Sequence, residues 1–153
     1  MEIRRAEERD MPVIHELLTQ VNRVHHEGRP DLFNLGTKYT DEELRALIHN
    51  DQKPIFVYDD GGVRGYAFCV FQQHVGDNMM TDIKTLYIDD LCVDEQYRGH
   101  HVGKSLYEYV LRFAKEQGCY NVTLNVWSCN EKAMGFYKAC GLQPQKVGME
   151  KIL

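Results

Sequence analysis

The residues with the clearest chemical potential form one short segment, RGHHVGKS at 98–105. It lies between a predicted strand that ends at Val93 and a predicted helix that begins near Gly103. A helix N-terminus offers unpaired backbone N–H groups and the positive end of the helix dipole, and glycines let an anion approach the backbone closely. Arg98 and Lys104 add positive charge at the same place. The segment therefore predicts an anion site, best suited to phosphate.

Two common phosphate-binding motifs do not match this segment. A Walker A loop would need a glycine at position 98, because the spacing from Gly99 to Gly103 is one residue too short. The dinucleotide fingerprint G-x-G-x-x-G is also absent, and the chain does not begin with a βαβ unit. A glycine-bearing turn before an amphipathic helix remains the structural alternative to a binding site.

Charge and composition narrow the classes of partner. The net charge of −5 and the absence of a Lys/Arg run argue against nucleic acid and favour a cationic ligand such as an amine. The apolar runs are too short to span a membrane, and MEIRRAEERD at 1–10 has no apolar signal region, so we expect a cytoplasmic protein. The five cysteines are widely spaced without a C-x-x-C pair, which predicts buried structural thiols and no metal site.

Hydrophobic periodicity and turn residues predict the elements that position this segment. Apolar residues follow helical spacing after Asp10, and Thr40 with Glu43 forms a capping box for a second helix. The predicted helices run from Asp10 to about 26, from Thr40 to near Asn50, over 103–117 and from Asn130 to Gly141. The predicted strands cover 2–6, 54–59, 63–72, 84–93 and 121–127, with a final strand within 144–152. Residues 25–36 are predicted as an ordered loop or a broken helix, and residues 74–82 as a loop.

This order of elements predicts one α/β (α+β) domain over 1–153 with a single mixed sheet. The strand-helix-strand unit over 84–127 predicts a parallel pair of strands joined by a right-handed crossover. The sequence contains no internal repeat and no composition typical of a linker.

Two motifs resemble those of a known superfamily. The segment YIDDLCVDEQYRGHHVGKS, 87–105, resembles the core motif of the GNAT superfamily of acyl-coenzyme A N-acyltransferases, [Q/R]-x-x-G-x-[G/A] after a strand. Residues 130–137, followed by Gly141 and Leu142, are similar to the family's N-x-x-A-x-x-F-Y…G-F segment. His101 departs from the pattern, since the family most often has glycine there. Its side chain has to avoid the pyrophosphate or bond to it, and its backbone needs negative φ or a left-handed conformation.

The resemblance implies a mixed sheet of about six to seven strands, flanked by about four helices, with splayed parallel strands that hold acetyl-coenzyme A. The strand before the loop would pair with the pantetheine arm, and backbone N–H groups would hold the pyrophosphate. The residues implied in binding coenzyme A are Leu91, Cys92, Val93, Arg98, Gly99, His100, His101, Val102, Gly103, Lys104, Ser105, Asn130, Ala133, Phe136 and Tyr137.

The implied reaction is direct attack of a primary amine on a thioester in a ternary complex. A free alkylamine has a pKa near 10.4, so its deprotonation at pH 7 costs roughly 4.6 kcal/mol and a base is useful. The resemblance implies Asp89 as this base; Asp90 would take its place if a bulge changed the strand parity. Tyr137 would protonate the leaving thiolate. The alternatives are aspartates that only solvate a strand end and a tyrosine that only packs in the core.

The acceptor is expected to be an amine of a small molecule or peptide. Glu27 and Asp31 fall where such folds bind the acceptor, and Tyr87 is a further candidate contact. A homodimer is common in similar proteins, although the sequence specifies no interface. A second class of function is a catalytically silent module that binds acyl-coenzyme A as a sensor, and a third is a nucleotide-binding α/β domain.

Overall fold

The computed structural model describes residues 1–153 and contains one five-stranded sheet in the order β1-β2-β3-β4-β5. Neighbouring strands are antiparallel except for β4 and β5, which are parallel as predicted. The strands are β1 (Glu2–Arg5), β2 (Ile55–Asp59), β3 (Val63–Gln73), β4 (Lys84–Val93) and β5 (Asn121–Leu124). The helices are α1 (Met11–Gly28), α2 (Asp41–Ile48), α3 (Val102–Glu116) and α4 (Glu131–Ala139). None of these helices combines the length and the apolar character that a membrane span requires.

The sheet separates two apolar cores. On one face, α1 and α2 bury Ile14, Leu17 and Leu44 against the rings of Tyr66 and Phe68 from β3. On the other face, α3 packs against β2, β3 and β4, and α4 adds partly buried side chains to the same core, which includes Phe56, Ala67, Leu86, Ile88, Leu106 and Val110. Each layer thus presents the apolar stripe that its helical periodicity predicted.

The residues of strand β4 that face α3 change at Asp89. A bulge lies opposite the Phe68–Cys69 step of β3, so two β4 residues occupy the space of one. Leu86 and Ile88 therefore face α3 before the bulge, whereas Leu91 and Val93 face α3 after it. Side chains therefore do not alternate regularly between the two faces along the whole of β4. The bulge shifts the alternation by one residue, as expected if Asp90 is to take the place of Asp89.

The parallel pair of β4 and β5 is short. It runs only from Thr85–Asn121 to Ile88–Leu124, and residues 89–93 of β4 have no partner on the β5 side. The predicted strand over 121–127 ends at Leu124, because the chain leaves β4 there. The expected splay between parallel strands is thus present, and it begins at the bulge.

The expected count of six to seven strands is wrong, since the sheet has five. The missing strand is the one predicted within 144–152, which is neither helix nor strand in this chain. The alternation of apolar and polar residues there is real, but no strand of the same chain pairs with it. The predicted capping box of α2 is confirmed, with Thr40 Oγ1 accepting from the Glu43 backbone N–H at 3.1 Å.

Candidate active site

The segment at 98–105 joins the end of β4 to the first turn of α3. A short 3-10 turn over Glu95–Tyr97 follows β4, and His101 occupies the N-cap position without a capping side-chain hydrogen bond. The backbone N–H groups of residues 98–104 have no acceptor within the chain, and the first helical bond here is from Ser105 N–H to His101 O at 3.0 Å. Seven consecutive donors at a helix N-terminus form an environment suited to an anion.

His101 adopts the left-handed conformation, with φ 61° and ψ 20°, and is the single non-glycine residue with positive φ. Gly99 in the same loop has φ 85°. The loop geometry therefore requires positive φ at two positions, and the chain uses glycine at only one of them. The side chain of His101 is exposed.

Three of the expected coenzyme-binding elements meet at Gly103. A Cβ atom at this position would lie 3.4 Å from Val93 Cγ2 at the end of β4 and 3.4 Å from Phe136 Cζ on α4. Asn130 caps α4, as its Oδ1 accepts from the Ala133 backbone N–H at 3.2 Å. Both distances are ordinary van der Waals contacts, so Gly103 is the place where α3, α4 and the end of β4 pack together.

Among the β4 residues expected to bind coenzyme A, Cys92 faces the opposite side of the sheet from Leu91 and Val93. Its side chain is buried in the α1 layer, where Sγ lies 3.7 Å from Leu17 O, and burial raises the pKa of the thiol. Only its backbone belongs to the open edge of β4. Leu91 and Val93 face α3, while the side chains of Arg98, His100 and Lys104 are exposed around the loop.

Asp90 lies just after the β4 bulge, and its carboxylate is enclosed. Tyr66 Oη donates a hydrogen bond to Asp90 Oδ2 at 2.6 Å. Burial raises the pKa of Asp90 to about 6, although the Tyr66 bond and the positive charge of Lys38 oppose the shift. A carboxyl group that titrates near pH 6 can accept a proton at neutral pH more readily than an ordinary aspartate.

Tyr137 on α4 is electrostatically coupled to this carboxylate. Burial raises the pKa of its phenol well above the usual value, and the charge of Asp90 raises it further. The ring packs edge-on against Phe136, with centroids 5.0 Å apart. The phenol therefore keeps its proton at neutral pH, and the raised pKa makes it a weaker acid than an ordinary tyrosine.

Lys38 and Tyr39 approach β4 from the segment before α2. Lys38 Nζ lies 3.3 Å from Asp89 Oδ2, and attraction to Asp90 and Asp89 raises the pKa of Lys38 against the opposing effect of burial. The Tyr39 ring stacks on Phe68 at 6.0 Å, beside the Tyr66 that bonds to Asp90. Sequence patterns gave no signal for Lys38, Tyr39 or Tyr66, because their roles depend on contacts between distant segments.

The expected acceptor contacts are not gathered in one place. Tyr87 Oη accepts a hydrogen bond from Asn125 Nδ2 at 3.1 Å, which links the two parallel strands at their splay. Asp31 forms an ion pair with Arg29 at 2.8 Å, and Glu27 is exposed on the last turn of α1. The hydrogen bonds and ion pairs around Asp89 and Asp90 include neither of these two carboxylates.

An aromatic group lies between the end of α1 and the residues after β5. Phe33 packs edge-on against Trp127, with centroids 5.2 Å apart, and its ring lies 5.0 Å from the His25 ring at a tilt of 30°. Burial, with a smaller contribution from Lys38, lowers the pKa of His25. A separate open cleft of about 500 Å³ lies between α1 and the start of α2, where Tyr39 is among its lining residues.

The cysteines and the possible metal ligands are the other groups in the chain with potential chemistry. All five cysteines are free thiols. The structure contains no group of three or more His, Cys, Asp or Glu side chains arranged to hold a metal ion.

Comparisons with known proteins agree with this geometry. Residues 14–142 match the Acetyltransferase (GNAT) family. The chain is 34% identical over 68 residues to glucosamine 6-phosphate N-acetyltransferase of Arabidopsis thaliana, a match that covers 44% of each protein. It is 32% identical over 105 residues to a putative ribosomal protein bS18 alanine N-acetyltransferase of Bacillus subtilis, covering 68% of this chain and 63% of the relative. The matched region thus spans less than two thirds of either relative.

A solved structure matches over the whole chain. The tetramutant of the BH1408 protein from Bacillus halodurans is 30% identical, with a TM-score of 0.95 and complete coverage of both chains. The splayed β4–β5 pair, the donor-rich start of α3 and these matches together place the chain in the GNAT acetyltransferase family.

Proposed function

We propose that this chain is an N-acetyltransferase that moves the acetyl group of acetyl-coenzyme A to a primary amine of a small molecule or peptide. The observation that carries the proposal is the run of seven unpaired backbone N–H groups at 98–104, in contact through Gly103 with the unpaired edge of β4. The run of N–H groups suits a pyrophosphate, and the unpaired strand edge suits an extended chain that contains amides. Coenzyme A contains both groups.

In this proposal the donor is held mainly by backbone. The N–H groups of residues 98–104 bind the pyrophosphate, with Arg98 and Lys104 adding positive charge. The pantetheine arm pairs with residues 89–93 of β4, as a further strand would. Asn130 and Ala133 at the start of α4, together with Phe136, line the other side of the groove, which directs the thioester towards the bulge.

We assign the removal of the amine proton to Asp90. Its raised pKa of about 6 and its position after the bulge support this role, and Asp89 is the alternative base. The nitrogen lone pair attacks the carbonyl carbon of the thioester, the new C–N bond forms and the C–S bond breaks. The amine proton passes to Asp90, directly or through water, and Tyr137 donates its proton to the departing sulfur.

The surroundings of the carboxylates favour a cationic acceptor. Asp89 and Asp90 together carry two negative charges, and the ammonium group of Lys38, 3.3 Å from Asp89, offsets one of them. The remaining negative charge can attract the ammonium form of a substrate before deprotonation. The Tyr39 ring, over which Lys38 Nζ lies at 5.4 Å, provides cation-binding surface beside these carboxylates. The curated relatives are named for amines of different kinds, a sugar phosphate and a protein alanine, so their names leave the acceptor open.

The first experiment is calorimetric titration of acetyl-coenzyme A into the purified protein, with ATP as the control ligand. We expect micromolar binding, about −8 kcal/mol, and much weaker binding of ATP. A panel of polyamines, aminoglycosides, amino sugars and peptide amines is then assayed for release of free thiol. Acetyl-coenzyme A binding without release by any amine would favour the silent sensor, and tighter binding of ATP would favour a nucleotide-binding domain.

A further inference from the structure

The hydroxyl of Tyr66 donates to the carboxylate of Asp90 from inside the core that α1 and α2 cover. Tyr66 lies within β3 and has a relative exposure of 0%. Its ring packs edge-on against Phe68, with centroids 4.8 Å apart, and both rings belong to that core. The bond from Tyr66 Oη to Asp90 Oδ2 is 2.6 Å long, which is typical of a hydroxyl that donates to a charged carboxylate. A buried and tightly packed donor therefore fixes the orientation of this carboxylate.

The β4 bulge brings Asp90 to the face of the sheet on which Tyr66 lies. Tyr66 pairs with Cys92, whose side chain lies in the same core. Ile88 faces α3 before the bulge, so regular alternation from Ile88 would also turn Asp90 towards α3. The one-residue shift at the bulge places Asp90 beside Tyr66 instead. The bulge and the tyrosine thus act on the same carboxylate.

The Tyr66 bond uses only one of the two carboxylate oxygens of Asp90. It goes to Oδ2, and no other side chain of the protein donates a hydrogen bond to Asp90. Lys38 acts on Asp90 through its charge, since the Lys38 hydrogen bond goes to Asp89 Oδ2 at 3.3 Å. A carboxylate held at one oxygen keeps a single orientation, and its other oxygen is left to accept a proton.

We propose that Tyr66 is a positioning residue of the acetyl transfer, whose hydroxyl holds Asp90 Oδ2 so that Oδ1 takes the proton of the acceptor amine. This inference rests on the proposed function and on Asp90 as its base. The amine proton passes to Oδ1, directly or through water, and the proton of Tyr66 stays on its own oxygen. Burial and the neighbouring charge of Asp90 raise the pKa of Tyr66, so the phenol remains neutral throughout.

The same bond also acts on the acidity of Asp90. Burial raises the pKa of Asp90 to about 6, and the Tyr66 bond opposes this rise because it favours the charged form. The charge of Lys38 also opposes the rise, and the charge of Asp89 adds to it. The other titratable groups coupled to Asp90 are Tyr39 before α2, Cys92 on β4 and Tyr137 on α4. Removal of the Tyr66 hydroxyl should therefore raise the pKa of Asp90 further.

The first test is Tyr66→Phe, which removes the hydroxyl and keeps the ring. Carbon NMR of protein isotopically labelled at aspartate Cγ follows the titration of Asp90 without any ligand, and the Asp90 signal is the one absent from Asp90→Asn. We expect the wild-type midpoint near pH 6 and the variant midpoint about one pH unit higher. The matched control is Tyr109→Phe on α3, whose ring packs against Phe56 in the opposite core and which should leave the midpoint unchanged.

The second test measures turnover with acetyl-coenzyme A and the amine of the panel that releases thiol fastest. Tyr66→Phe should lower kcat about tenfold, because Asp90 loses its fixed orientation, and should leave KM for acetyl-coenzyme A within about twofold. The acid limb of kcat/KM should move upward with the NMR midpoint. Tyr109→Phe should match the wild type in all three quantities. A tyrosine that only packs in the core would lower stability without moving the acid limb.

Two results would overturn the role of Tyr66 alone: an Asp90 midpoint equal in the wild type and Tyr66→Phe, or an unchanged kcat and acid limb in that variant. If Tyr66→Phe does not fold, wild-type protein labelled at tyrosine Cζ decides, since the Tyr66 signal should titrate with the Asp90 midpoint and a constant signal would contradict the bond. An acid limb that survives Asp90→Asn would instead overturn the base assignment, and absence of acetyl-coenzyme A binding in calorimetry would overturn the proposed function; either would remove this role with it.

Discussion

The two sides of the proposed site are built by different means. On the donor side, the contacts come from backbone groups of one continuous stretch, residues 89–104, which includes the open edge of β4 and the start of α3. On the acceptor side, side chains from separate segments converge, among them Lys38, Tyr66, Asp90 and Asn125. Backbone recognition needs glycines and a helix start at fixed spacing, whereas side-chain recognition needs only that distant segments meet.

This difference predicts how the two sides respond to substitution. A side-chain change on the acceptor side removes a chemical group and should affect turnover. A side-chain change on the donor side leaves most of the backbone donors in place and should have a smaller effect.

The largest effect is expected for Asp90→Asn. The variant keeps the shape of the residue and an oxygen that can accept from Tyr66 Oη, but it removes the proton acceptor. We expect kcat to fall about 10²–10⁴-fold with little change in affinity for acetyl-coenzyme A. In the wild type, kcat/KM should fall below about pH 6 as Asp90 becomes protonated, and the variant should lose this limb of the profile.

Asp89→Asn is the matched control, since it changes the adjacent carboxylate, which is more exposed and paired with Lys38. We expect a reduction of several-fold, mainly through KM for the amine, with the acid limb retained. If Asp89→Asn instead removed the limb and Asp90→Asn did not, the base would be Asp89 and our assignment would be wrong.

Asp90→Asn should also stabilise the fold. The pKa of Asp90 is about 6 in the folded chain against 3.8 for an ordinary aspartate, so the folded state binds this proton more tightly than the unfolded state. The contribution of Asp90 to stability therefore falls as pH rises from about 4 to 6 and stays unfavourable above that. Removing the charge should raise the free energy of unfolding at pH 7 by about 1–3 kcal/mol. Denaturant unfolding at pH 4 and pH 7 measures this, and equal values for the two proteins at both pH values would contradict it.

Tyr137→Phe tests the connection between the two sides, because Tyr137 lies on α4 of the donor side and is coupled to Asp90. The ring and its contact with Phe136 remain, so KM for acetyl-coenzyme A should stay within about twofold. Loss of the proton donor should lower kcat about 10–100-fold. A kcat equal to that of the wild type, measured by thiol release, would leave Tyr137 with a packing role only.

The same contrast explains what the sequence could predict. The RGHHVGKS segment and the Asn130 cap have local physical causes. Periodicity and capping residues predicted α1, α2 and α3, and apolar runs bounded by turn residues predicted the three central strands. The sequence allows a bulge near Asp90 but does not locate it, since its position depends on how β3 and β4 pair. Lys38, Tyr66 and Asn125 had no sequence signal. The strand within 144–152 was predicted from a pattern that requires a partner strand, and the single chain does not provide one.

His101→Gly should have the smallest effect of these four substitutions. His101 has φ 61°, a conformation that costs a non-glycine residue about 1 kcal/mol, so glycine relieves strain in the folded state. Glycine also gains freedom in the unfolded chain, which offsets about 0.4–1 kcal/mol, and the melting temperature should change little. Because the phosphate donors are backbone N–H groups, affinity for acetyl-coenzyme A should stay within about threefold or improve. A loss of tenfold or more in calorimetry would show that the imidazole itself binds the donor, and the donor side would then depend on a side chain as the acceptor side does.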